Sequence, residues 1–301
     1  MMKIIVSGAG GLIGSALLPS LEAAGHEVVR LVRRPAGGGT GEIQWNPDAG
    51  QLDTNVLDGA DAVINLNGRN ISEGRWNSAV KEALRSSRLN ATNTITAAID
   101  RCESPPKVLV NASAVGFYGD RGDEILDESS PVGEGFLADL SRDWEAAATG
   151  IKSTHTRVAL LRLGMVVARE GALGRMLTPF KMGVGGPIGT GRQFWPWIGI
   201  DDVVGLVKFT LENEDVVGPI NAVSPQEIRC TDFARTLGRV LNRPAVLPMP
   251  AFAARLALGE MAEALLLASA RVRPRVLEEA GYSFQTPTLD GAIRAALVKT
   301  S

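Results

Sequence analysis

The glycines near the start of the chain have the spacing of a loop that holds phosphate groups. Gly8, Gly11 and Gly14 follow the apolar run Lys3–Ser7 and precede a helical pattern of leucines. Gly8 would permit a tight turn, Gly11 would leave room for a pyrophosphate, and Gly14 would let the helix pack closely on the strand. The phosphates would face the free N–H groups of the helix N-terminus. We predict a dinucleotide site, with a glycine-rich structural turn as the alternative. Its residues are Gly8, Gly10, Gly11, Leu12, Ile13 and Gly14.

Basic residues follow the second predicted strand and indicate which dinucleotide would bind. An NAD site usually carries a carboxylate there, which bonds the ribose hydroxyls. This chain has Arg33 and Arg34 at that point and no acid. Because a guanidinium pairs with phosphate through a planar fork, we predict NADP(H), with both arginines on its 2′-phosphate. The alternative is a solvated basic turn.

Polar residues also follow two later predicted strands. In a sheet of this kind the ends of these strands would pass close to the cofactor. The hydroxyl of Ser113 would bond a substrate carbonyl or hydroxyl group, or, as the alternative, would only end its strand in a turn. These two strand ends complete the predicted cofactor site with Asn65, Leu66, Asn67, Gly68 and Ser113.

Strand and helix signals alternate over the first two-thirds of the chain. The strands are nearly continuous runs of valine, isoleucine and leucine, which is typical of a parallel sheet covered by helices on both faces. Right-handed crossovers then give an α/β fold with a Rossmann-type doubly wound sheet. The predicted strands cover residues 3–7, 28–32, 42–45, 61–66, 107–111 and 157–162, and the predicted helices cover 78–101, 135–149, 251–270 and 288–298.

The last third of the chain changes character. Glycine- and proline-rich stretches interrupt its helical patterns, and the pair Asp201 and Asp202 is predicted to cap a helix. We predict a small, mainly helical substrate lobe beside the Rossmann domain. The expected organisation is a nucleotide-binding domain over residues 1–225, of which parts of 165–200 contribute to the lobe, and a helical C-terminal domain over 245–297.

The composition disfavours several classes of protein. With 301 residues, 45% of them hydrophobic, and a net charge of −2, the chain has a globular balance and no basic field for nucleic acid or an anionic membrane. Cys102 and Cys230 cannot form a disulfide framework, and His26 and His155 lack partners at metal-ligand spacing. No G-x-S-x-G motif supports a Ser-His-Asp hydrolase. No secretory signal precedes the first strand, so we expect a cytoplasmic protein with a small-molecule substrate and no metal, and we keep a homodimer open.

Several motifs together resemble a known superfamily. The glycine turn, Asn65-Leu66-x-Gly68 and the serine before Tyr118-Gly119 are similar to extended short-chain dehydrogenases/reductases. Further motifs resemble its atypical epimerase-like subfamily, whose C-terminal domain has unknown function. The resemblance covers nearly the whole chain and implies an NADP-binding fold without implying a substrate. The motifs of the narrower resemblance are Arg75-Trp76, Lys81, Ser87-Arg88, Gly135-Phe136-Leu137-Ala138, Trp144-Glu145, Gly189-x-Gly191-Arg192-Gln193, Trp197-Ile198 and Leu258-Gly259-Glu260-Met261.

The chain departs from that superfamily at its usual catalytic pair. Typical members carry Tyr-x-x-x-Lys on the helix after the fifth strand, where the tyrosine transfers a proton and the lysine lowers its pKa. The matching positions here are Leu137 and Ser141, which can do neither. Arg142, one place further on, is a candidate for the missing charge. Tyr118 is a candidate for the missing acid, and the alternative for it is a packed or substrate-contacting phenol.

A substrate pocket is predicted from charged residues on two helices and from a loop. Arg75, Lys81 and Arg88 could form a cationic wall for an anionic substrate, or a solvated helix face. Burial of Glu145 against Trp144 would disfavour its charged form, and the alternative is a surface glutamate. A glycine-rich loop further on is predicted to close over the substrate. The predicted pocket residues are Arg75, Arg88, Glu145, Arg192 and Gln193.

Three functions are compatible with these features. The first is an NADP(H)-binding, epimerase-like oxidoreductase that acts on an unknown small carbonyl or hydroxyl substrate without the usual Tyr-x-x-x-Lys pair. The second is a non-catalytic NADP(H)-binding redox sensor or regulatory protein, which the missing pair favours. The third is a structural interaction protein with a vestigial site.

Overall fold

The central element of the structure is a parallel sheet. The computed structural model describes residues 1–35 and 41–298. The strands are β1 (Lys3–Ser7), β2 (Glu27–Val32), β3 (Glu42–Gln44), β4 (Ala62–Asn65), β5 (Val108–Ala114), β6 (Ile125–Leu126), β7 (Arg157–Leu163), β8 (Met165–Val167), β9 (Trp197–Gly199), β10 (Gly218–Ala222) and β11 (Arg271–Val272). Seven of them form one sheet in the order β3-β2-β1-β4-β5-β7-β10, with every pairing parallel. β6 pairs with β11, and β8 pairs with β9, outside this sheet.

Helices connect the strands and make up most of the C-terminal part. They are α1 (Leu12–Ala23), α2 (Ser78–Ile99), α3 (Phe136–Thr149), α4 (Gly171–Lys181), α5 (Ile200–Glu212), α6 (Cys230–Leu241), α7 (Ala251–Leu258), α8 (Glu260–Ala262), α9 (Arg275–Glu279) and α10 (Leu289–Val298). Every predicted strand and helix has a counterpart whose ends differ by at most three residues, except the helix predicted over 251–270. Within the described ranges, no helix is long and apolar enough to cross a membrane.

Both faces of the central sheet are covered, as the apolar strands predict. α1 and α5 pack on the face that carries Ile4 and Val6, whereas α2 and α3 pack on the face that carries Ile5 and Val63. Successive residues of one strand point to opposite faces, so a strand buried on both faces is apolar throughout. The predicted doubly wound, Rossmann-type sheet is therefore confirmed.

The carboxyl ends of β1, β4 and β5 meet at one edge of the sheet. β1 lies between β2 and β4, and the strand numbers run outward in both directions from this point. Ligands of open α/β sheets bind in the crevice at such a reversal. The glycine turn follows β1, residues 66–68 follow β4, and the helical turn Val115–Tyr118 follows β5. The fold thus brings three predicted site segments to one edge.

The C-terminal helices build an apolar core of their own. Leu177 of α4, Phe233 of α6 and Ile293 of α10 pack with Val167 and Trp197 of the small β8–β9 pair. This core is separate from the two that cover the sheet. The predicted mainly helical C-terminal part is confirmed.

The helix predicted over residues 251–270 is wrong in its length. α7 ends before Gly259, whose φ of +64° lies in the left-handed region. Glycine adopts that conformation without the steric strain that a side chain would bring. The chain then forms the short α8 and a π-helical turn, Glu263–Leu267.

The capping role predicted for the aspartate pair is also wrong. α5 begins at Ile200 after Gly199, with no capping side chain. The carboxylate of Asp202 is fully buried and accepts hydrogen bonds from the backbone N–H of Gln285 (2.6 Å) and of Thr286 (3.0 Å), and from the Thr286 hydroxyl. Asp202 therefore anchors a C-terminal segment to α5 instead of beginning the helix.

Candidate cofactor and substrate site

Two glycines of the first turn are required by the turn itself. Gly8 has a φ of +75°, and a Cβ on it would lie 2.6 Å from the carbonyl carbon of Leu66. A Cβ on Gly14 would lie 2.5 Å from the carbonyl oxygen of Gly8. Real Cβ atoms do not approach backbone atoms this closely. The sharp reversal from β1 into α1 and its contact with the end of β4 therefore both depend on glycine.

The crest of the same turn has no side chains, although at Gly10 the fold does not demand their absence. Gly10 and Gly11 are exposed, and a Cβ on Gly10 would meet no atom within 4 Å. A Cβ on Gly11 would lie 3.3 Å from the Gly8 carbonyl oxygen, and its φ of −83° suits any residue. Open backbone at this point fits a group that approaches from the crevice.

The N-terminus of α1 offers hydrogen-bond donors to such a group. The first bond of the helix runs from Ser15 N to the Gly11 carbonyl oxygen (2.9 Å). The N–H groups of Leu12, Ile13 and Gly14 precede it, and a helix leaves such groups without an intrahelical acceptor. Together with the helix dipole, they favour an anion. The turn therefore fits a dinucleotide pyrophosphate.

The side chain of Asn65 joins neighbouring strands, whereas the sequence predicts it in the cofactor site. Its side chain is fully buried, where Nδ2 donates to Asn111 Oδ1 (2.6 Å) and to Thr92 Oγ1 (3.0 Å). Its Oδ1 accepts a bond from the Ser7 hydroxyl (2.8 Å). These bonds tie the ends of β1, β4 and β5 together, so the side chain is not available to a ligand. At this strand end only the backbone and residues 66–68 line the edge.

The two arginines after β2 differ in their surroundings. Both are exposed at the carboxyl end of the strand. Arg34 forms an ion pair with Glu42 of β3 (2.8 Å), and it also donates to the carbonyl of Pro35 (3.3 Å). No carboxylate of the described chain lies within 4.0 Å of Arg33. Arg33 is therefore the freer of the two for a phosphate.

Ser113 and Glu145 belong to a buried ionic network. Ser113 is 2% exposed, and its hydroxyl donates to Glu145 Oε1 (2.6 Å). The guanidinium of Arg162 donates a hydrogen bond to each oxygen of this carboxylate, both at 2.8 Å. Arg162 is 4% exposed. Glu145 is thus not a surface glutamate, and both of its carboxylate oxygens already have partners. Arg162 was not predicted, although an arginine inside the apolar run of β7 is a signal for a buried partner.

The structure contradicts the proton-donating role predicted for Tyr118. Its side chain is fully buried, and its hydroxyl contacts Asn221 Oδ1 (2.7 Å) while accepting a bond from Arg162 Nη1 (2.9 Å). Burial raises the pKa of this phenol to about 12. Tyr118 is the packed phenol of the alternative interpretation, because its oxygen is enclosed by protein groups.

The positions of the superfamily's catalytic pair contain no substitute on α3. Leu137 lies beside the turn after β5, since a Cβ on Gly116 would be 3.1 Å from Leu137 Cβ. Ser141, one helical turn on, is buried. Arg142 is half-exposed and pairs with Asp139 (2.8 Å) and with Asp143 (3.0 Å). These two carboxylates balance its charge, which disfavours Arg142 as a substitute for the lysine.

The three predicted cations near α2 do not form a wall. Lys81 pairs with Glu260 of α8 (2.5 Å). Arg75 is exposed and lies against Gly259, on which a Cβ would be 3.3 Å from Arg75 Nη2. Arg88 is partly buried and lies beside Gly68, where a Cβ would be 3.1 Å from the Arg88 Cζ. Of the three, only Arg88 reaches the edge where β4 ends.

The loop residues predicted for the pocket lie in the C-terminal part. Gln193 is 7% exposed, and its Nε2 donates to the carbonyls of Ile188 (3.0 Å) and Leu266 (2.8 Å). It therefore ties the loop at Ile188 to the π-helical turn Glu263–Leu267 instead of facing a substrate. Arg192 is exposed, and its carbonyl accepts a bond from Arg229. In the part of the chain that the structure describes, no cluster of histidine, cysteine and acidic side chains could hold a metal.

The fold and the first turn define a Rossmann-type α/β protein whose glycine loop has the geometry of a dinucleotide-binding loop. Residues 4–222 match the NAD dependent epimerase/dehydratase family, and residues 249–296 match a domain of unknown function, DUF1731. The chain belongs to this epimerase/dehydratase family.

Relatives match over almost the full length of the chain. Epimerase family protein ML0860 of Mycobacterium leprae is 40% identical over 299 residues, covering 99% of this chain and 96% of the relative. The crystal structure of human epimerase family protein SDR39U1 with NADPH has a TM-score of 0.91 and 36% identity, covering 99% of this chain and 100% of the human one. A nucleoside-diphosphate sugar epimerase from Corynebacterium glutamicum has a TM-score of 0.80 and 34% identity, covering 98% of this chain and 58% of its own.

Proposed function

We propose that this chain is an NADP(H)-dependent oxidoreductase that acts on a small carbonyl or hydroxyl compound. The observation that carries the proposal is the glycine turn, which has an open crest and free helix N–H groups at the switch point of the sheet. The human relative solved with NADPH, at a TM-score of 0.91, supports the same cofactor. When bound, this cofactor supplies hydride transfer, while the protein binds and orients the reactants. Both cysteines are free thiols, in accord with the proposed cytoplasmic location.

The preference for NADP(H) is assigned chiefly to Arg33. Arg34 already has a carboxylate partner, whereas Arg33 has none among the described residues. Arg33→Ala should therefore raise the ratio of the NADPH to the NADH dissociation constant, and Arg34→Ala should raise it less. Fluorescence titration of both cofactors measures the ratio. An unchanged ratio in Arg33→Ala, and in the double variant Arg33→Ala with Arg34→Asp, would mean that these side chains face only solvent.

Ser113 is proposed to contact the substrate through its oxygen. A carboxylate can only accept hydrogen bonds, so the hydroxyl proton of Ser113 is directed at Glu145. The Ser113 oxygen then offers a ligand lone pairs alone, which suits a substrate hydroxyl better than a carbonyl. Ser113→Ala should therefore lower kcat for alcohol oxidation. Full activity in that variant would remove Ser113 from the proposal.

A screen for turnover tests the proposed reaction. The purified protein is titrated with NADPH and NADH, and a panel of carbonyl compounds is then followed through NADPH absorbance, with alcohols and NADP⁺ assayed in the reverse direction. Turnover with NADPH supports an oxidoreductase whose proton transfer does not use Tyr-x-x-x-Lys.

A second candidate function is a redox sensor that binds NADP(H) without turning over a substrate. Leu137 and Ser141 occupy the positions of the usual pair, and the Tyr118 hydroxyl is enclosed, which favours this alternative. Tight NADPH binding without turnover across a broad panel would support the sensor. A cofactor-dependent change in the protein's binding to other macromolecules would then be its expected activity.

A further inference from the structure

The basic residues of α2 differ in whether they have a counter-charge. Lys81 pairs with Glu260, and Arg85 pairs with Asp143. Across residues 1–35 and 41–298, no carboxylate lies within 4.0 Å of the Arg88 guanidinium. Arg88 is therefore the cation of this helix whose charge the described protein does not balance.

The packing of Arg88 fixes the direction of its guanidinium. Its Cζ lies 5.0 Å from the ring centroid of Trp144 on α3, and its Nη1 donates to the Leu84 carbonyl (2.9 Å). Gly68 lies against it, because a Cβ there would be 3.1 Å from Cζ and 3.2 Å from Nη2. An arginine has five N–H donors, and the Leu84 carbonyl is its one acceptor in the described chain. The remaining donors are available to a ligand.

The burial of this cation has an energetic consequence. Removal from water disfavours a charged group, and it lowers the pKa of Arg88 to about 10. The group therefore remains charged at neutral pH without a partner. An uncompensated, partly buried charge destabilises a folded protein, and a bound anion would offset that cost.

Arg88 also lies at the proposed cofactor crevice. Gly68, which it contacts, is two residues beyond Leu66, and Leu66 is the residue that Gly8 of the glycine turn approaches. Arg88 thus lies at the same edge of the sheet as the glycine turn and the end of β4. The ring of Trp144 on α3 also packs against the guanidinium.

We propose that Arg88 binds an oxyanion of the substrate, a carboxylate or a phosphate, so that the substrates are anionic carbonyl or hydroxyl compounds. The inference rests on the proposed oxidoreductase function, which it deepens by naming the substrate class. A guanidinium pairs with either oxyanion through two parallel hydrogen bonds, and lysine lacks this geometry. The arginine would hold the substrate by its anionic group beside the cofactor.

Anion binding to the NADP⁺-saturated protein tests the proposal, because the cofactor then occupies its own phosphate sites. The midpoint of thermal unfolding is measured against oxalate and against inorganic phosphate. We expect a rise for the wild type, and an apparent Kd weakened at least about tenfold in Arg88→Met. Arg88→Lys should be intermediate. Arg85→Met is the matched control, since Arg85 lies on the same helix and already has a partner, and it should respond like the wild type.

The unliganded variant separates a binding role from a structural one. Because the wild-type cation is uncompensated, Arg88→Met without ligand should be at least as stable as the wild type. A clear loss of stability would identify Arg88 as a structural residue and overturn the proposal. An equal anion response in Arg88→Met and the wild type would also overturn it.

Cofactor binding, anion binding and turnover together distinguish a failure of the anion site from a failure of the proposed oxidoreductase function. If Arg88→Met weakens NADPH binding about tenfold or more, the anion is a cofactor phosphate, and the substrate assignment falls. If NADPH and oxalate both bind but no compound turns over, the anion site stands and the oxidoreductase proposal fails. If turnover occurs and prefers uncharged over anionic compounds, the oxidoreductase stands and the anion site is wrong.

Discussion

Replacement of Arg162 by methionine should destabilise the protein more than any surface charge substitution. The Arg162 guanidinium is 4% exposed and donates hydrogen bonds to both oxygens of Glu145, each at 2.8 Å. It also donates to the Tyr118 hydroxyl and lies 3.6 Å from the Phe117 ring centroid. Its removal leaves a buried carboxylate whose one remaining donor among the described residues is Ser113. Loss of one partner of a buried pair typically costs about 3–5 kcal/mol.

That loss is a large share of the whole stability. Domains are stable by about 5–15 kcal/mol, and urea lowers the free energy of unfolding by about 3 kcal/mol per molar for larger ones. The urea midpoint of Arg162→Met should therefore fall by about 1–2 M. Equilibrium unfolding followed by tryptophan fluorescence measures it. Glu145→Gln in the Arg162→Met background should recover part of the loss, since it removes the unpaired charge and keeps an acceptor for Ser113.

A surface pair provides the control for this measurement. Arg30 and Glu22 are 3.0 Å apart, and their side chains are 40% and 48% exposed, so Arg30→Met should change stability by at most about 1 kcal/mol. If Arg162→Met unfolds at the wild-type urea concentration, the buried network does not hold β5, α3 and β7 together. A double variant no more stable than Arg162→Met would contradict the charge argument in particular.

Three further results are expected from buried polar groups. Tyr118 and Tyr282 are the only tyrosines of the chain, and burial raises the pKa of both, that of Tyr118 to about 12. A raised pKa in the folded state gives stability that is present below pH 10 and lost as the pH rises toward 12. The phenolate absorbance at 295 nm should therefore change only when the protein unfolds in alkali. Phenolate formation below pH 10.5 would refute this expectation. Burial also raises the pKa values of Cys102 and Cys230, the latter to about 11. Both thiols should therefore react slowly with a disulfide reagent at pH 8. A rapid initial phase of reaction from either thiol would contradict this expectation. Asp202→Ala should lower stability by about 3 kcal/mol in urea unfolding because three donors lose their buried acceptor, and a wild-type midpoint would show that another group replaces it.

The fold was predictable because its signals are local. The glycine spacing, the apolar strands and the alternation with helices each depend on neighbours in sequence, and they give the sheet and its edge. β10 was missed because the sequence Gly218-Pro219 reads as a turn, yet an edge strand of a sheet tolerates proline. The break at Gly259 was missed because an isolated glycine inside a helical pattern does not reveal its φ angle.

The side-chain network around Ser113 was less predictable because it depends on pairing between distant residues. The sequence showed Glu145 beside a tryptophan but not the arginine of β7 that neutralises it. It showed Tyr118 after a strand but not the enclosure of its hydroxyl by Arg162 and Asn221. Arg88 was one of three similar cations, and only the positions of the acidic residues of α8 and α3 distinguish it.

Cofactor titration of a single glycine variant tests the central claim most directly. Gly11→Ala adds one methyl group at the open crest of the turn, where its φ of −83° permits any residue. Gly291→Ala adds the same group in α10 and is the control for folding. By fluorescence, the wild type and Gly291→Ala should bind NADPH more tightly than NADH, and Gly11→Ala should lose at least about tenfold in affinity with its thermal midpoint retained. Wild-type affinity for NADPH in Gly11→Ala, or no NADPH binding by the wild type, would contradict the account.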